Sequence, residues 1–518
     1  MTSADRPTER SRVELPTWLS WLQSENELAL GFLGSMLVLV GSVQANSPFT
    51  SKIPGSWFFG VPINPEPGSS WLELLSTWVI YLGMALTIFV WARLAVSLYR
   101  GRSVAMSRLW LMFALWVLPL MIAGPLLSRD VYSYAAQGEM VSLGFSPYKH
   151  GPYVLGKNPF LLAVDPMWGN APAPYGPVFL SIASLFVRLS GSSVLGTVVL
   201  LRLAALFGVV LVGIYAPKIA TMLGYPPQGA FVLGVLNPIS LYDLASAGHN
   251  DAWMLGLMVA GVYYCMSKRF VLGIVLISLA AAVKAPALEA LAFVGYNWSP
   301  EQAFWKRVPR AVVAVLIALA TLVVLGYVTG LGIGWVKSLS TPGVVLSPAD
   351  PITAAATWVH SLTAFVGLPV SIHLYLSVMR LIGLAIAGGF AIWLALRSNR
   401  RRMTRSLGVS LLVLVFLGPV IWPWYLSWGI ALVACSVAEY GAYSLIAVSV
   451  IGFPLSFPGG GQSMVSWIVY ALAVALALVA LGYWRQWISL RTRMQIDEII
   501  IRLRYMVEKE LGRQVEFW

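Results

Sequence analysis

Asp130 is the residue to which chemistry in this chain is most readily tied. It lies in Ser128-Arg129-Asp130-Val131-Tyr132-Ser133-Tyr134-Ala135-Ala136-Gln137-Gly138, directly after an apolar run, Leu109 to Leu127, long enough to cross a bilayer. A carboxylate and a guanidinium at the mouth of a membrane helix are expensive to keep there and usually serve a purpose. Tyr132, Tyr134 and Gln137 follow at spacings that a helix gathers near Asp130. Two readings fit these residue types. One is an interfacial Arg129–Asp130 ion pair with tyrosines in the aromatic belt. The other is a site in which the carboxylate does acid–base work.

Further groups of this kind recur. Gly248-His249-Asn250-Asp251 puts two hydrogen-bonding side chains and a carboxylate into a tight connection between apolar runs. Asn250 or Asp251 could also simply cap the next helix, and the two roles can coexist. Lys284, in Val283-Lys284-Ala285-Pro286, fits either a snorkelling anchor or a partner for a phosphate at headgroup depth. Trp422-Pro423-Trp424-Tyr425 fits an aromatic belt or a platform for a sugar face or isoprenoid chain.

The elements that must position these groups are membrane helices. Hydrophobic residues make up 58% of the 518 and charged ones 11%, against roughly 25% in soluble domains. With a mean hydropathy of +0.77, the composition predicts an all-α polytopic membrane protein. The net charge of +13 would suggest nucleic acid in a soluble chain. Here the basic residues sit in short loops, so they report topology, and no nucleic-acid partner is expected. Cys265 and Cys435 both lie inside apolar runs, against a disulfide framework or a thiolate metal site. No P-loop or glycine fingerprint is present. Asp130, Asp165, Asp251 and Asp350 lack the D-x-D or His-rich spacing of a metal site, so neither metal nor cofactor is predicted.

The apolar runs number about 12 to 14, several of them shorter than the roughly 20 residues of a perpendicular span. Residues 1–27 read as a polar cytoplasmic segment without a signal-peptide pattern, and 28–484 as the transmembrane domain. Residues 485–518 read as an amphipathic cytoplasmic tail, with Ile496, Ile499, Ile500, Leu503 and Met506 at helical spacing. Basic clusters at Arg93–Arg108, Lys268-Arg269, Lys306–Arg310, Arg397–Arg405 and Arg485–Arg493 fall at alternate loops. Taken as cytoplasmic, they put residues 128–195, a long loop after the third run, on the outer face. A loop of that length is usually functional. It is proline-rich and aromatic, with Phe145-Ser146-Pro147-Tyr148, Asp165-Pro166-Met167-Trp168 and Ala173-Pro174-Tyr175-Gly176-Pro177, and Val178–Leu189 reads as a short interfacial helix. Gly330–Trp358 and the segment holding Gln462 are the other outer segments rich in polar or special residues.

At SRDVYSYAAQG, at GFSPY and APYGP downstream, at GHNDAWM and at WPWY, the sequence resembles the actinobacterial polyprenol-phosphate-mannose-dependent α-1,6-mannosyltransferases, the MptA/MptB family, and is nearer to MptB. The resemblance implies a GT-C glycosyltransferase fold, a lipid-phosphate sugar donor and an active site facing outward from the cytoplasmic membrane. It further implies an acidic residue in the first large outer loop, a place that Asp130 matches. Two additional runs precede the helix that normally opens that fold.

A donor carried by a membrane lipid makes nucleotide-binding elements unnecessary. Transfer of β-linked mannose to give an α product requires inversion, hence one base on the acceptor hydroxyl and positive charge at the departing phosphate. On this reading Asp130 is the base, and Arg129, Lys284 and His249 are the phosphate's partners. Tyr132, Tyr134, Gln137, Asp165, Tyr175, Asn250, Asp251, Trp422, Trp424, Tyr425 and Gln462 are candidates for holding the lipid donor and a mannan (lipomannan) acceptor. Two rivals remain at this stage: a GT-C enzyme for another sugar such as arabinofuranose, and a transporter or flippase. The latter would want an internal repeat and charges near the bilayer midplane.

Overall fold

The structure is a computed structural model that describes residues 26–42, 70–299, 302–346, 350–367 and 370–453. The segment holding Gln462, the expected final span Met464–Trp484 and the amphipathic tail lie outside the described residues. Among the described residues every regular element is a helix.

The chain opens with α1 (Glu27–Ser42), α2 (Ser70–Tyr99) and α3 (Met106–Ile122), with α1 lying along both of the others. α4 (Asp130–Ser142) carries the SRDVYSYAAQG stretch, and a proline-punctuated loop with the one-turn helix α5 (Pro159–Leu162) leads to α6 (Pro177–Leu189). The long loop of the sequence reading is therefore half helical, with α4 packed on α6. Then follow α7 (Val194–Leu223), α8 (Pro227–Gly234), a π-helical segment (Ile239–Ser246), α9 (Asp251–Met266), α10 (Phe270–Ala281) and α11 (Glu289–Tyr296). The second half comprises α12 (Phe304–Val328), α13 (Pro351–Phe365), α14 (Ile372–Arg397), α15 (Met403–Leu417), α16 (Leu426–Ala434) and α17 (Glu439–Gly452).

Each apolar run within the described residues coincides with a helix or a broken pair of helices, but most are short. Trp78–Tyr99 of α2, α7, α12 and α14 are the four long and apolar enough to cross a membrane, and α8 with the π-helical segment makes a fifth if counted together. That pair is bent by 57° where the sequence suggests one uninterrupted run from Gly229 to Tyr242. The break is at Asn237-Pro238: Pro238 lacks an N–H for the ladder, and the Asn237 side chain caps the next segment by accepting from Ile239 N at 2.9 Å. Gly330–Trp358 holds a 3₁₀ helix (Gly334–Val344) and the start of α13. Asp350 caps α13 ahead of Pro351, accepting from the N–H groups of Ile352 and Thr353.

Close helix crossings use small residues, as expected where lipid tails compete with apolar side chains for contact. A Cβ on Gly256 of α9 would lie 2.4 Å from Gly208 O of α7, and one on Gly429 of α16 would lie 2.4 Å from Gly408 O of α15. The basic loops gather at one end of the bundle. Arg400 donates to Met266 O, Arg307 donates to Tyr296 O at 2.9 Å, and Asn297 donates to Ser398 Oγ at 2.7 Å. Glu27, 1% exposed, accepts from Arg93 at 2.8 Å and from Arg102 at 2.6 Å. At the opposite end lie Asp251, the first residue of α9, and Lys284, in the connection between α10 and α11.

Candidate active site

Four separated stretches converge at that second end. The chain leaves α3 through Leu127, whose φ of 67° turns it sharply, and Asp130 begins α4 with its side chain 16% exposed. Trp168 Nε1 donates to Asp130 Oδ1 at 3.1 Å, and His249 Nδ1 lies 3.7 Å from Oδ2. Arg129 turns away from its neighbour: Nη2 and Nε donate to Ala163 O at 2.8 and 3.1 Å, and Nη2 also to Val164 O at 3.2 Å. It fastens the loop after α4 in place of forming the Arg129–Asp130 pair that the sequence allows. Burial pushes the Asp130 carboxyl up to about 6. Lys284 and the Trp168 hydrogen bond pull it down, and the charges of Asp251 and Asp165 push it up.

The second stretch bends at Gly248, with φ of 79°, and delivers His249 fully buried. The imidazole lies flat on Trp424, centroids 3.8 Å apart, and Tyr134 Oη is 3.4 Å from Nδ1. Burial and then the nearby Lys284 charge hold its pKa well below the usual value, so it is a neutral ring. Asn250 stands at the N-cap of α9 without making a cap bond, and its buried amide has no partner on either atom. Asp251 does not cap either. It accepts from Lys284 Nζ at 2.8 and 2.7 Å and from Trp428 Nε1 at 2.7 Å.

Lys284 precedes a 3₁₀ turn (Ala285–Leu288) and is nearly buried, so its ammonium points into the protein and does not snorkel outward. Nζ stands over Tyr425 at 4.4 Å, Trp428 at 5.6 Å and Tyr175 at 5.9 Å, a cation–π setting that completes the Asp251 pair. The APYGP motif explains why Tyr175 is there. Gly176 N–H donates to Val283 O at 3.1 Å and Val178 N–H to Ala282 O at 3.2 Å, and a Cβ on Gly176 would lie 2.3 Å from Ala282 O. Only glycine permits that approach. Farther back, Ala173 N–H donates to Pro147 O of GFSPY at 2.8 Å, so the two motifs brace each other.

These stretches enclose a cavity of about 400 Å³. Its lining includes the polar side chains Asp130, Ser133, Gln137, Trp168, Lys284 and Glu289 and the apolar Leu339, Pro342, Leu384, Leu414, Val415 and Pro419. Tyr175, Trp422 and Tyr425 also reach the cavity. His249, Asp251, Tyr134 and Trp424 stand behind that wall, and Trp422 stacks on Trp424 at 5.0 Å. Tyr132 is buried beside Arg129 and Arg202, its hydroxyl without a partner and outside the cavity lining. Asp165 caps the turn before Trp168, accepting from Met167 N–H at 3.0 Å. Sequence reasoning left out Trp168, Trp428, Ser133 and Glu289, all lining residues. Glu289 carried a signal, a lone carboxyl inside an apolar run; the two tryptophans carry none that sets them apart from the chain's other indoles.

A carboxylate able to take a proton, an ammonium and apolar side chains around one cavity form a set suited to group transfer from an amphiphile. The sequence model of the α-(1→6)-mannopyranosyltransferase N-terminal domain, the MptA/MptB family, matches residues 28–300, and that of the MptB C-terminal domain matches 352–485. The chain belongs to the α-(1→6)-mannopyranosyltransferase family. It is 32% identical over 471 residues to α-(1→6)-mannopyranosyltransferase A of Mycobacterium tuberculosis, covering 87% of this chain and 88% of the relative. It is 29% identical to α-(1→6)-mannopyranosyltransferase B of Corynebacterium glutamicum, covering 88% of this chain and 79% of the relative. Both matched regions contribute to the cavity lining, Asp130 and Lys284 from the first and Trp422, Tyr425 and Trp428 from the second.

Proposed function

We propose that the protein is an inverting glycosyltransferase that moves mannose from polyprenyl-phosphate-mannose to an α-1,6-mannan acceptor at the outer face of the cytoplasmic membrane. The observation that carries this reading is that one cavity is lined both by Asp130 and Lys284 and by apolar side chains such as Leu339, Leu384, Leu414 and Val415, the kind of surface an isoprenoid chain would lie against. Asp130 takes the proton of the acceptor's 6-hydroxyl as that oxygen bonds to the anomeric carbon. The carbon–oxygen bond to phosphate breaks with its electron pair, and the charge gained by the phosphate is met by the Lys284 ammonium.

In this mechanism Lys284 is shared, because an incoming phosphate must draw the ammonium from Asp251. His249, being neutral, supports Asp130 by position and is a poor counter-charge for phosphate. Arg129 serves the phosphate only if it releases the Ala163 carbonyl. The outer orientation is supported by the basic loops gathering at the end opposite the cavity. A transporter reading is disfavoured by the family and by carboxylates clustered at one end. Incubating the purified protein with polyprenyl-phosphate-mannose and short α-1,6-mannosides, and looking for elongated product, tests the proposal. Elongation from polyprenyl-phosphate-arabinofuranose, and not from the mannose donor, would move it to another sugar.

A further inference from the structure

Trp168 Nε1 donates a hydrogen bond to Asp130 Oδ1 at 3.1 Å, while His249 Nδ1 stands off from Oδ2 at 3.7 Å. An indole N–H only donates, so it favours an oxygen that carries charge. The ring is delivered by backbone geometry that owes nothing to a substrate. Asp165 caps the turn at Met167, Tyr153 N–H donates to Gly169 O at 2.8 Å, and the Tyr153 ring fills the space where a Cβ on Gly169 would stand. The same indole lines the cavity beside Asp130.

From this we infer that Trp168 is a positioning residue for the base: its N–H holds one carboxylate oxygen and leaves the other for the acceptor, while its ring walls the acceptor's side of the cavity. The inference deepens the glycosyltransferase reading and rests on it for the acceptor. It also assigns Asp165 a role at one remove, through the turn that carries the indole. The other groups facing the carboxylate are Lys284, Asp251, Asp165, His249, Tyr134 and Tyr175. Lys284 favours its charged form, as Trp168 does, whereas Asp251 and Asp165 oppose it.

The test separates the N–H from the ring in the full-length protein. Trp168→Phe keeps a ring and loses the donor; Trp168→Gln keeps a donor and loses the ring. The carboxyl band of Asp130, identified by its loss in Asp130→Asn, is titrated by infrared difference spectroscopy, which needs no substrate. Trp168→Phe is expected to move the midpoint up by about one pH unit, the size of one hydrogen bond to a charged group. Trp168→Gln is expected to keep it near that of the unsubstituted protein. An unmoved midpoint in Trp168→Phe overturns the inference, and so does a raised midpoint in a folded Trp168→Gln. In the elongation assay Trp168→Phe should regain kcat as pH rises with the acceptor KM unchanged, and Trp168→Gln should raise that KM. A kcat lost equally at every pH would mark a merely structural residue. A shifted midpoint in a protein that elongates no mannoside would sink the donor and acceptor assignment and leave the Trp168–Asp130 relation standing.

Discussion

Lys284 Nζ lies 2.8 and 2.7 Å from the two oxygens of Asp251, and Trp428 Nε1 adds a third hydrogen bond to the same carboxylate. Both side chains are buried, so removing one partner leaves the other without its contact in a setting where water cannot replace it. Lys284→Met alone strands a buried carboxylate and is expected to cost about 3–5 kcal/mol of stability. The double variant Lys284→Met with Asp251→Asn should recover most of that stability without recovering donor use. Melting in detergent and the dependence of elongation on donor concentration check the two halves. A double variant with unchanged donor dependence would remove Lys284 from the phosphate site.

Asp130→Asn preserves size and can still accept the Trp168 hydrogen bond, but it cannot take a proton. General-base contributions are typically ~10²–10⁴-fold, and turnover should fall at least that far while lipid-donor binding changes little. The same substitution at Asp165 should leave measurable turnover, since that carboxylate caps a turn. Near-normal elongation by Asp130→Asn would show that the base lies elsewhere.

The pH dependence follows from the Asp130 carboxyl, raised from 3.8 to about 6. Elongation should be low below that value, where the carboxyl holds its proton, and should rise through it. For stability the sign is opposite to that of an ordinary ion-paired aspartate. A folded-state pKa above the unfolded one means that the folded chain binds the extra proton, so stability falls as pH rises from 3.8 to about 6. Asp130→Asn lacks this loss. Its melting temperature should therefore gain on the unsubstituted protein across that window; a constant difference would contradict the shift.

Orientation can be read by labelling single cysteines in intact cells. Lys149 is exposed in the loop after α4, and Asn399 is exposed in the basic loop after α14, whereas Ser398 beside it is buried and bonded to Asn297. Lys149→Cys should react with a membrane-impermeant maleimide and Asn399→Cys should not. The native Cys265 and Cys435 are buried and give little background. Labelling of Asn399→Cys alone would put the cavity on the cytoplasmic side.

Much of this arrangement is legible in the sequence because it is written in local terms. Apolar runs mark the helices, and Asp130, His249, Asp251, Lys284 and Trp424 stand at run ends that share one side of the bundle. What is not legible depends on partners distant in sequence. Nothing local tells that Arg129 is spent on Ala163, 34 residues on, or that Asp251 is satisfied by Lys284 and Trp428 and leaves the helix cap unmade. Trp168 is invisible for the same reason, since an indole matters only through the oxygen it meets.

The docking of Gly176 against Ala282 and Val283 also sets an order of events at the ribosome. The segment bearing Tyr175 is made first, and the backbone it must lie on emerges roughly a hundred residues later. At about 5–20 residues per second, the earlier segment waits on the order of 5–20 s before it can seat. During that interval Pro174 and Pro177 keep it extended and poor at forming helix. A nascent chain stopped before Ala282 would thus present this loop to proteases and quality control, whereas one that has passed Lys284 would shield it.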